Sequence, residues 1–414
     1  MYLKQVSLAL ALWLCSVFAL DSFSEDGRLN FSGLAVKYGL KCEEHHIITA
    51  DGYILKMFHV PGDKTRPVLL NHGILDSSDT FIVRGNTSMT ATLARKGYDV
   101  WAANMRGNRY SRAHVRFDPD KDKEYWNFSF HESGIYDLPA LIDYILDHTG
   151  QKQLACMGHS QGNTVFYVLG SLRPEYNEKI KLLIALAPIS FLYHLKGPTK
   201  TTIQIWPLMD VILSAIGQEE VFGYNSLENT VFRCVCTHEL GYDLCAKRIM
   251  MPFAGEDLDE MEPEFLKTVL GHYFAGTSRK SGTHLAQCGQ KNRFAQMDYG
   301  EALNLVLYDS RFPPDYELRK VTMRIALVSG ANDGMCSLKD VRTLKRRLPN
   351  VVAYKVLDHK KANHIDFKQK KNYRIVQTSS SNRETYIKKD SDELRTSSFF
   401  EYSHLQKYVH IFDG

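Results

Sequence analysis

Gly158-His159-Ser160-Gln161-Gly162 is the stretch of this chain that most restricts its fold. It follows a short apolar run at 154–157 and precedes a helix-compatible run at 163–172. A serine with glycines two residues away on each side fits a sharp strand-to-helix turn. The missing side chains let the backbone bend where a Cβ would clash, and the hydroxyl is driven outward. With glycine at about 7% of residues, such a pattern arises by chance in roughly one chain of this size in ten. The turn must therefore be judged by its surroundings.

Those surroundings alternate. Residues 46–49 and 53–60 flank Ala50-Asp51-Gly52 as an early antiparallel hairpin, and 68–71, 99–102, 154–157 and 182–187 read as buried strands. Between them, Leu138, Leu141, Ile142, Ile145 and Leu146 recur at helical spacing. Asp137 is placed to cap that helix, Pro139 is tolerated in its first turn and Gly150 stops it. Strands alternating with helices indicate a mainly parallel sheet covered by helices, an α/β fold. After Pro188 the alternation breaks. From 190 to 310 the pattern is helical, and strands resume at 323–328 and 351–357. Within this insertion Leu208, Val211, Ile212, Ala215 and Ile216 form an apolar stripe, widened by Trp206, Met209 and Leu213. It fits a helix buried in the core of its own subdomain, or a lid helix over an apolar cleft.

At 414 residues the chain can bury a large core, and its net charge of +4 is spread in mixed signs, which argues against a nucleic-acid partner. The first 19 residues read as a secretory signal: Lys4, an apolar stretch at 6–14, and a cleavage site after Ala19. The apolar run ends at Asp21, short of the roughly 20 residues a membrane span needs. Secretion agrees with three acceptor sites for N-linked sugar, at Asn30, Asn86 and Asn127. With Cys15 removed, seven cysteines remain, an odd number. Cys236 and Cys245 form the best candidate bridge, closing a small loop. Cys234-x-Cys236 has no convincing zinc partners, so no metal site is expected there.

A serine hydroxyl becomes a good nucleophile only when a base takes its proton and a carboxylate orients that base. Asp333 follows the strand at 323–328 within Ser329-Gly330-Ala331-Asn332-Asp333-Gly334, and His364 follows the strand at 351–357. The order serine, acid, histidine is that of α/β-hydrolases, each residue in a loop after a strand. Asp358, His359 and Asp340 are rivals by position. For the oxyanion, the Gln161 N–H begins the helix after the serine, and the Ile74 N–H lies in Leu70-Asn71-His72-Gly73-Ile74, with Gly73 allowing close backbone approach.

These residues carry a resemblance. The chain resembles the acid lipases of the gastric and lysosomal type, including their secreted insect relatives, from about Tyr38 to Phe367. The matching strings are Asp51-Gly52-Tyr53-Ile54-Leu55, His72-Gly73-Ile74, Asn104-x-Arg106-Gly107-Asn108-x-Tyr110-Ser111 and Tyr136-Asp137-Leu138-Pro139-Ala140. Gly158–Gly162, Pro313-Pro314-x-Tyr316, Asn332-Asp333 and Asn363-His364-x-Asp366-Phe367 complete them. The resemblance implies an α/β-hydrolase core at 20–189 and 311–367 with a helical cap and lid at 190–310. It implies Ser160 as nucleophile, Asp333 as acid, His364 as base, Ile74 and Gln161 as the oxyanion hole, and Cys236–Cys245 as the cap disulfide. The implied activity is hydrolysis of neutral lipid esters, triacylglycerols or sterol esters, at a lipid–water interface. No cofactor, no metal and no stable membrane span are implied, and the destination is extracellular or lysosomal.

Two departures stand out. After Phe367 the family continues into a tryptophan- and glycine-containing loop and a closing amphipathic helix, whereas here Lys368-Gln369-Lys370-Lys371 begins a polar tail over 368–414. Beyond Asp333, Gly334-Met335-Cys336-Ser337 replaces a more apolar segment and its second aspartate. The alternatives to a lipase are an esterase on smaller esters, or a catalytically impaired lipid-binding product that lacks its closing helix.

Overall fold

The computed structural model describes residues 23–238 and 240–369. The expected signal at 1–19 lies outside the described residues, as does the expected polar tail but for its first two positions. The described residues form ten strands: β1 (Glu43–Ile48), β2 (Ile54–Val60), β3 (Asp63–Asn71), β4 (Tyr98–Ala103), β5 (Leu154–His159), β6 (Ile180–Leu186), β7 (Glu220–Val221), β8 (Thr277–Ser278), β9 (Ile325–Ser329) and β10 (Val351–Val356). Eight of them form one sheet in the order β1-β2-β4-β3-β5-β6-β9-β10. β1–β2 and β2–β4 pair antiparallel, and from β4 to β10 all pairs are parallel.

The sequence pattern explains this arrangement. Parallel strands need crossovers, and helices Met89–Arg95, Leu138–Thr149, Gln161–Leu172 and Leu338–Arg347 supply them. Covered on both faces, such strands read as unbroken apolar runs, and every residue of β4 and β5 is buried. The periodic residues Leu138, Leu141, Ile142, Ile145 and Leu146 are all buried, and Gly150 ends that helix with φ 70°. At its own edge of the sheet β10 is only half-buried, with Val352 43% exposed.

Asp137 does not cap its helix. The backbone is already helical there, running on from a π-helical turn, and the side chain makes no capping bond. Its carboxylate instead accepts from the Arg106 guanidinium at 2.7 Å, where both side chains are essentially inaccessible. Arg106 also donates to Asp51 at 2.6 Å and lies 3.9 Å over the Tyr53 ring. One guanidinium thus ties the early hairpin, the loop after β4 and the Asp137 turn. Burial pushes the Asp137 carboxyl above its usual range, with Arg106 offsetting only part of that. For Asp51 burial acts the same way, but its bonds to Arg106 prevail and hold it below that range.

Between β6 and β9 lie helices Gly197–Ala215, Leu227–Thr237, Pro263–His272, Arg279–Lys291 and Glu301–Tyr308. Cys236 and Cys245 are joined by a disulfide. The apolar stripe is not the core of a subdomain. Leu208, Val211, Ile212 and Ile216 are 52–67% exposed, and only Ile203 of the helix Gly197–Ala215 is buried. The reason lies on the opposite face. Asp210 pairs with Arg279, the Trp206 indole N–H donates to Thr283 Oγ1 at 3.0 Å, and Ile203 packs on Gly289. Polar anchors hold the helix down and leave its apolar face outward.

Arg106→Met removes the partner of a fully buried carboxylate. We expect a loss of about 3–5 kcal/mol, read as a lower urea midpoint, because an ion left alone inside a protein is strongly destabilising.

Candidate active site

Ser160 follows β5 at the carboxyl ends of the parallel strands, where open α/β sheets place their ligands. Its backbone sits at φ 55°, ψ −126°, a conformation a residue with a Cβ adopts at a cost of order 1–3 kcal/mol. The strain is held from both sides. The Ser160 N–H donates to Leu186 O at the end of β6, at 3.0 Å. A Cβ on Gly162 would stand 2.5 Å from the carbonyl oxygens of Asn71 and His72, and one on Gly158 would stand 2.4 Å from Asn163 Oδ1. Both motif glycines are sterically required.

His364 and Asp333 meet Ser160. The Ser160 hydroxyl lies 2.8 Å from His364 Nε2, and His364 Nδ1 lies 2.9 Å from each Asp333 carboxylate oxygen. A carboxylate can only accept, so Nδ1 carries the proton and Nε2 accepts from the serine. Ser160 and His364 are each 4% exposed, so water is nearly excluded. The replaced segment after Asp333 has a clear function in this geometry. The N–H groups of Met335 and Cys336 donate to Asp333 Oδ1 at 2.8 and 2.7 Å. The Cys336 thiol donates to Pro188 O at 3.0 Å. Burial, with Asp333 and Asp340 nearby, pushes that thiol well above its usual range, so it is no rival nucleophile.

The positional rivals are engaged elsewhere. Asp340 pairs with His194 at 2.7 Å, His359 with Asp257 at 2.6 Å, and Asp358 with Lys355 at 3.0 Å. His72 is not a base for Ser160 either. Its Nδ1–H donates to Gly73 O at 2.8 Å, while Nε2 accepts from the Met105 N–H at 3.1 Å and Asn108 Nδ2 at 3.0 Å. It braces the loop that carries Ile74. A Cβ on Gly73 would lie 3.0 Å from that of Ser160, which brings this loop against the serine. Ile74 and Gln161 line one cleft with the apolar side chains of Met105, Phe128, Phe130 and Val165. Asn30, Asn86 and Asn127 are all exposed.

What the sequence did not disclose is how the histidine loop is held. The His364 N–H donates to Ala254 O at 3.0 Å, and the Gly334 N–H shares that acceptor at the same distance. Asn363 Nδ2 donates to Gly255 O at 2.9 Å, and its Oδ1 accepts from the Ile365 and Asp366 N–H groups. His159 Nε2–H donates to His364 O at 2.8 Å. Residues 254–255 belong to the insertion, about eighty positions before Asp333, and carry no motif. Only Asn363, within Asn363-His364-x-Asp366-Phe367, offered a signal.

The sequence matches the α/β-hydrolase fold family over residues 66–371 and the partial α/β-hydrolase lipase region over residues 31–85. It is 38% identical over 348 residues to Lipase 1 of Drosophila melanogaster, covering 84% of this chain and 77% of that protein. Against Lipase 3 of the same organism identity is 38% over 339 residues, covering 80% and 86%. Against gastric triacylglycerol lipase of Mus musculus it is 35% over 355 residues, covering 83% and 88%.

Gly255 has φ 110°, and a Cβ there would stand 1.8 Å from Asn332 O. Gly255→Ala is therefore expected to displace the Asp333 loop. A shift of about 1 Å lowers kcat roughly 100-fold. Hydrolysis of a soluble ester, with an unchanged far-UV spectrum as the fold control, checks this.

Proposed function

This chain belongs to the α/β-hydrolase lipases, and from that membership we propose that it hydrolyses neutral lipid esters through Ser160, His364 and Asp333. The observation that carries the reading is the continuous hydrogen-bonded line from the Ser160 hydroxyl through His364 to Asp333. Ser160 Oγ attacks the ester carbonyl as His364 Nε2 takes its proton, and Asp333 stabilises the imidazolium that forms. The N–H groups of Ile74 and Gln161 receive the oxyanion. His364 returns the proton to the departing alcohol. Water, deprotonated by the same nitrogen, then attacks the acyl-enzyme, and the fatty acid leaves with Ser160 restored.

The substrate class follows from the relatives and from the surface. A mouse relative is named for triacylglycerol. The cleft beside Ser160 is lined by Phe128, Phe130 and Val165, fit for an acyl chain. The exposed stripe at Leu208, Val211, Ile212 and Ile216 suits contact with a lipid–water interface. No helix among the described residues is long and apolar enough to cross a membrane, so that contact would be peripheral. We read the helix Gly197–Ala215 as part of a lid, and the chain as secreted with sugars on Asn30, Asn86 and Asn127.

The divergent sequence after Phe367 does not favour an inert product. His364 is braced through Ala254 and His159, both of which precede that divergence in the chain.

Ser160→Ala is expected to abolish ester turnover by purified protein, and Asp333→Asn to lower kcat about 10⁴-fold by presenting the wrong tautomer. Equal rates for wild type and Ser160→Ala would overturn the mechanism. On a panel of glycerol esters the rate should rise with acyl length. A maximum on short, water-soluble esters would make the protein an esterase instead.

A further inference from the structure

The far edge of the sheet carries a cluster that ester hydrolysis does not use. Antiparallel pairing sets Glu43 of β1 directly opposite His59 of β2. Side chains two apart on a strand share a face, so His45 joins them. Glu43 Oε2 lies 3.2 Å from His59 Nδ1 and 3.5 Å from His45 Nε2. One donor atom from each of the three residues lies within 4.8 Å of the other two.

Both rings are fixed from behind. His59 Nε2 lies 2.7 Å from Oδ1 of Asp99, a carboxylate 1% exposed whose other oxygen accepts the Trp101 indole N–H at 2.6 Å. A carboxylate cannot donate, so the His59 proton sits on Nε2, and in the neutral ring the Nδ1 lone pair faces Glu43. Two acceptors at 3.2 Å repel unless something positive stands between them. His45 Nδ1 is bonded to the Tyr144 hydroxyl at 2.8 Å, while its Nε2 is buried without a hydrogen-bond partner.

We infer that Glu43, His45 and His59 bind one zinc ion. Zinc bonds of about 2.0–2.2 Å in a tetrahedron hold their donor atoms about 3.3 Å apart. The two donor separations at Glu43 Oε2 fall on either side of that value. Two imidazoles with one carboxylate favour zinc over calcium or magnesium, which take oxygen donors. The Asp99–His59 pair is the outer carboxylate that metal-bound histidines commonly keep. The Glu43 side chain is 54% exposed, so the fourth position opens to water. The ion would clasp edge strand β1 to β2. It lies three to four strands from β5, about 14–19 Å at a spacing of about 4.8 Å, so hydrolysis at Ser160 reports folding independently.

The test is to dialyse the purified full chain against chelator, then titrate Zn²⁺ by calorimetry and Co²⁺ by visible absorption. One equivalent of Zn²⁺ and the intense d–d band of tetrahedral Co²⁺ are expected. Both should vanish in the double variant Glu43→Gln, His45→Gln, with ester hydrolysis retained. Asp99→Asn should weaken binding about 10–100-fold, as outer partners do. No binding by the wild type would overturn the inference. So would one equivalent bound equally by the double variant, which would put the ion elsewhere.

Discussion

Ser160 stands where it does because two of its neighbours have no Cβ. At Gly162 the helix after the serine sits on the carbonyl oxygens of Asn71 and His72. No other residue type allows that approach. Asn71 Nδ2 in turn donates to Gly162 O at 3.1 Å, so the contact is bonded as well as close. This one juxtaposition brings the loop after β3 against the turn after β5. It therefore decides where Gly73 and Ile74 lie relative to the serine. The strained φ of Ser160 persists because β6, through Leu186 O, accepts both its N–H and the Asn163 side-chain amide. Steric fit comes first here, and the hydrogen bonds keep it.

The other half of the site is held differently. Asp333 and His364 stand in loops after β9 and β10, at an edge of the sheet where packing is thin. Their order comes from the insertion. Ala254 O accepts from both Gly334 and His364, so one carbonyl sets the spacing between the acid loop and the histidine loop. Two further close approaches, Gly255 on Asn332 and Gly330 on Ala362, lock the same region. The insertion thus supports the histidine as well as lining the cleft through Gly276, Thr277 and Ser281.

The sequence was legible where a local rule matched a global one. The glycines at 158 and 162, the five periodic leucines and isoleucines at 138–146, and the loop positions of Asp333 and His364 each satisfied local pattern and chain order together. It misled where a long-range partner competed. Asp137 has the chemistry of a cap, but Arg106, thirty-one positions earlier, offers a buried ion pair with two charge-assisted bonds, which is stronger than one capping bond. The stripe at 208–216 has the pattern of a core-facing helix. Periodicity gives the width of an apolar face but not what lies against it. Ala254 and Gly255 were invisible because their contribution is backbone, and backbone carries no residue-type signal beyond a glycine among 27.

The helix Gly197–Ala215 joins these arguments to function. A helix anchored by apolar burial loses that energy when it moves, at about 25 cal/mol per Å² exposed. This one buries only Ile203, against Gly289, and is otherwise anchored by an Asp210–Arg279 pair and a Trp206–Thr283 bond, both part-buried. Water can replace such bonds at little net loss, since a typical one contributes only about 1 kcal/mol. Its apolar face already meets solvent, so transfer to a lipid surface would gain what the anchors give up. In the proposed reading this asymmetry, polar beneath and apolar outside, reconciles a nearly closed Ser160 with a substrate that arrives from an oil phase. On that reading the interface itself supplies the free energy that uncovers the serine.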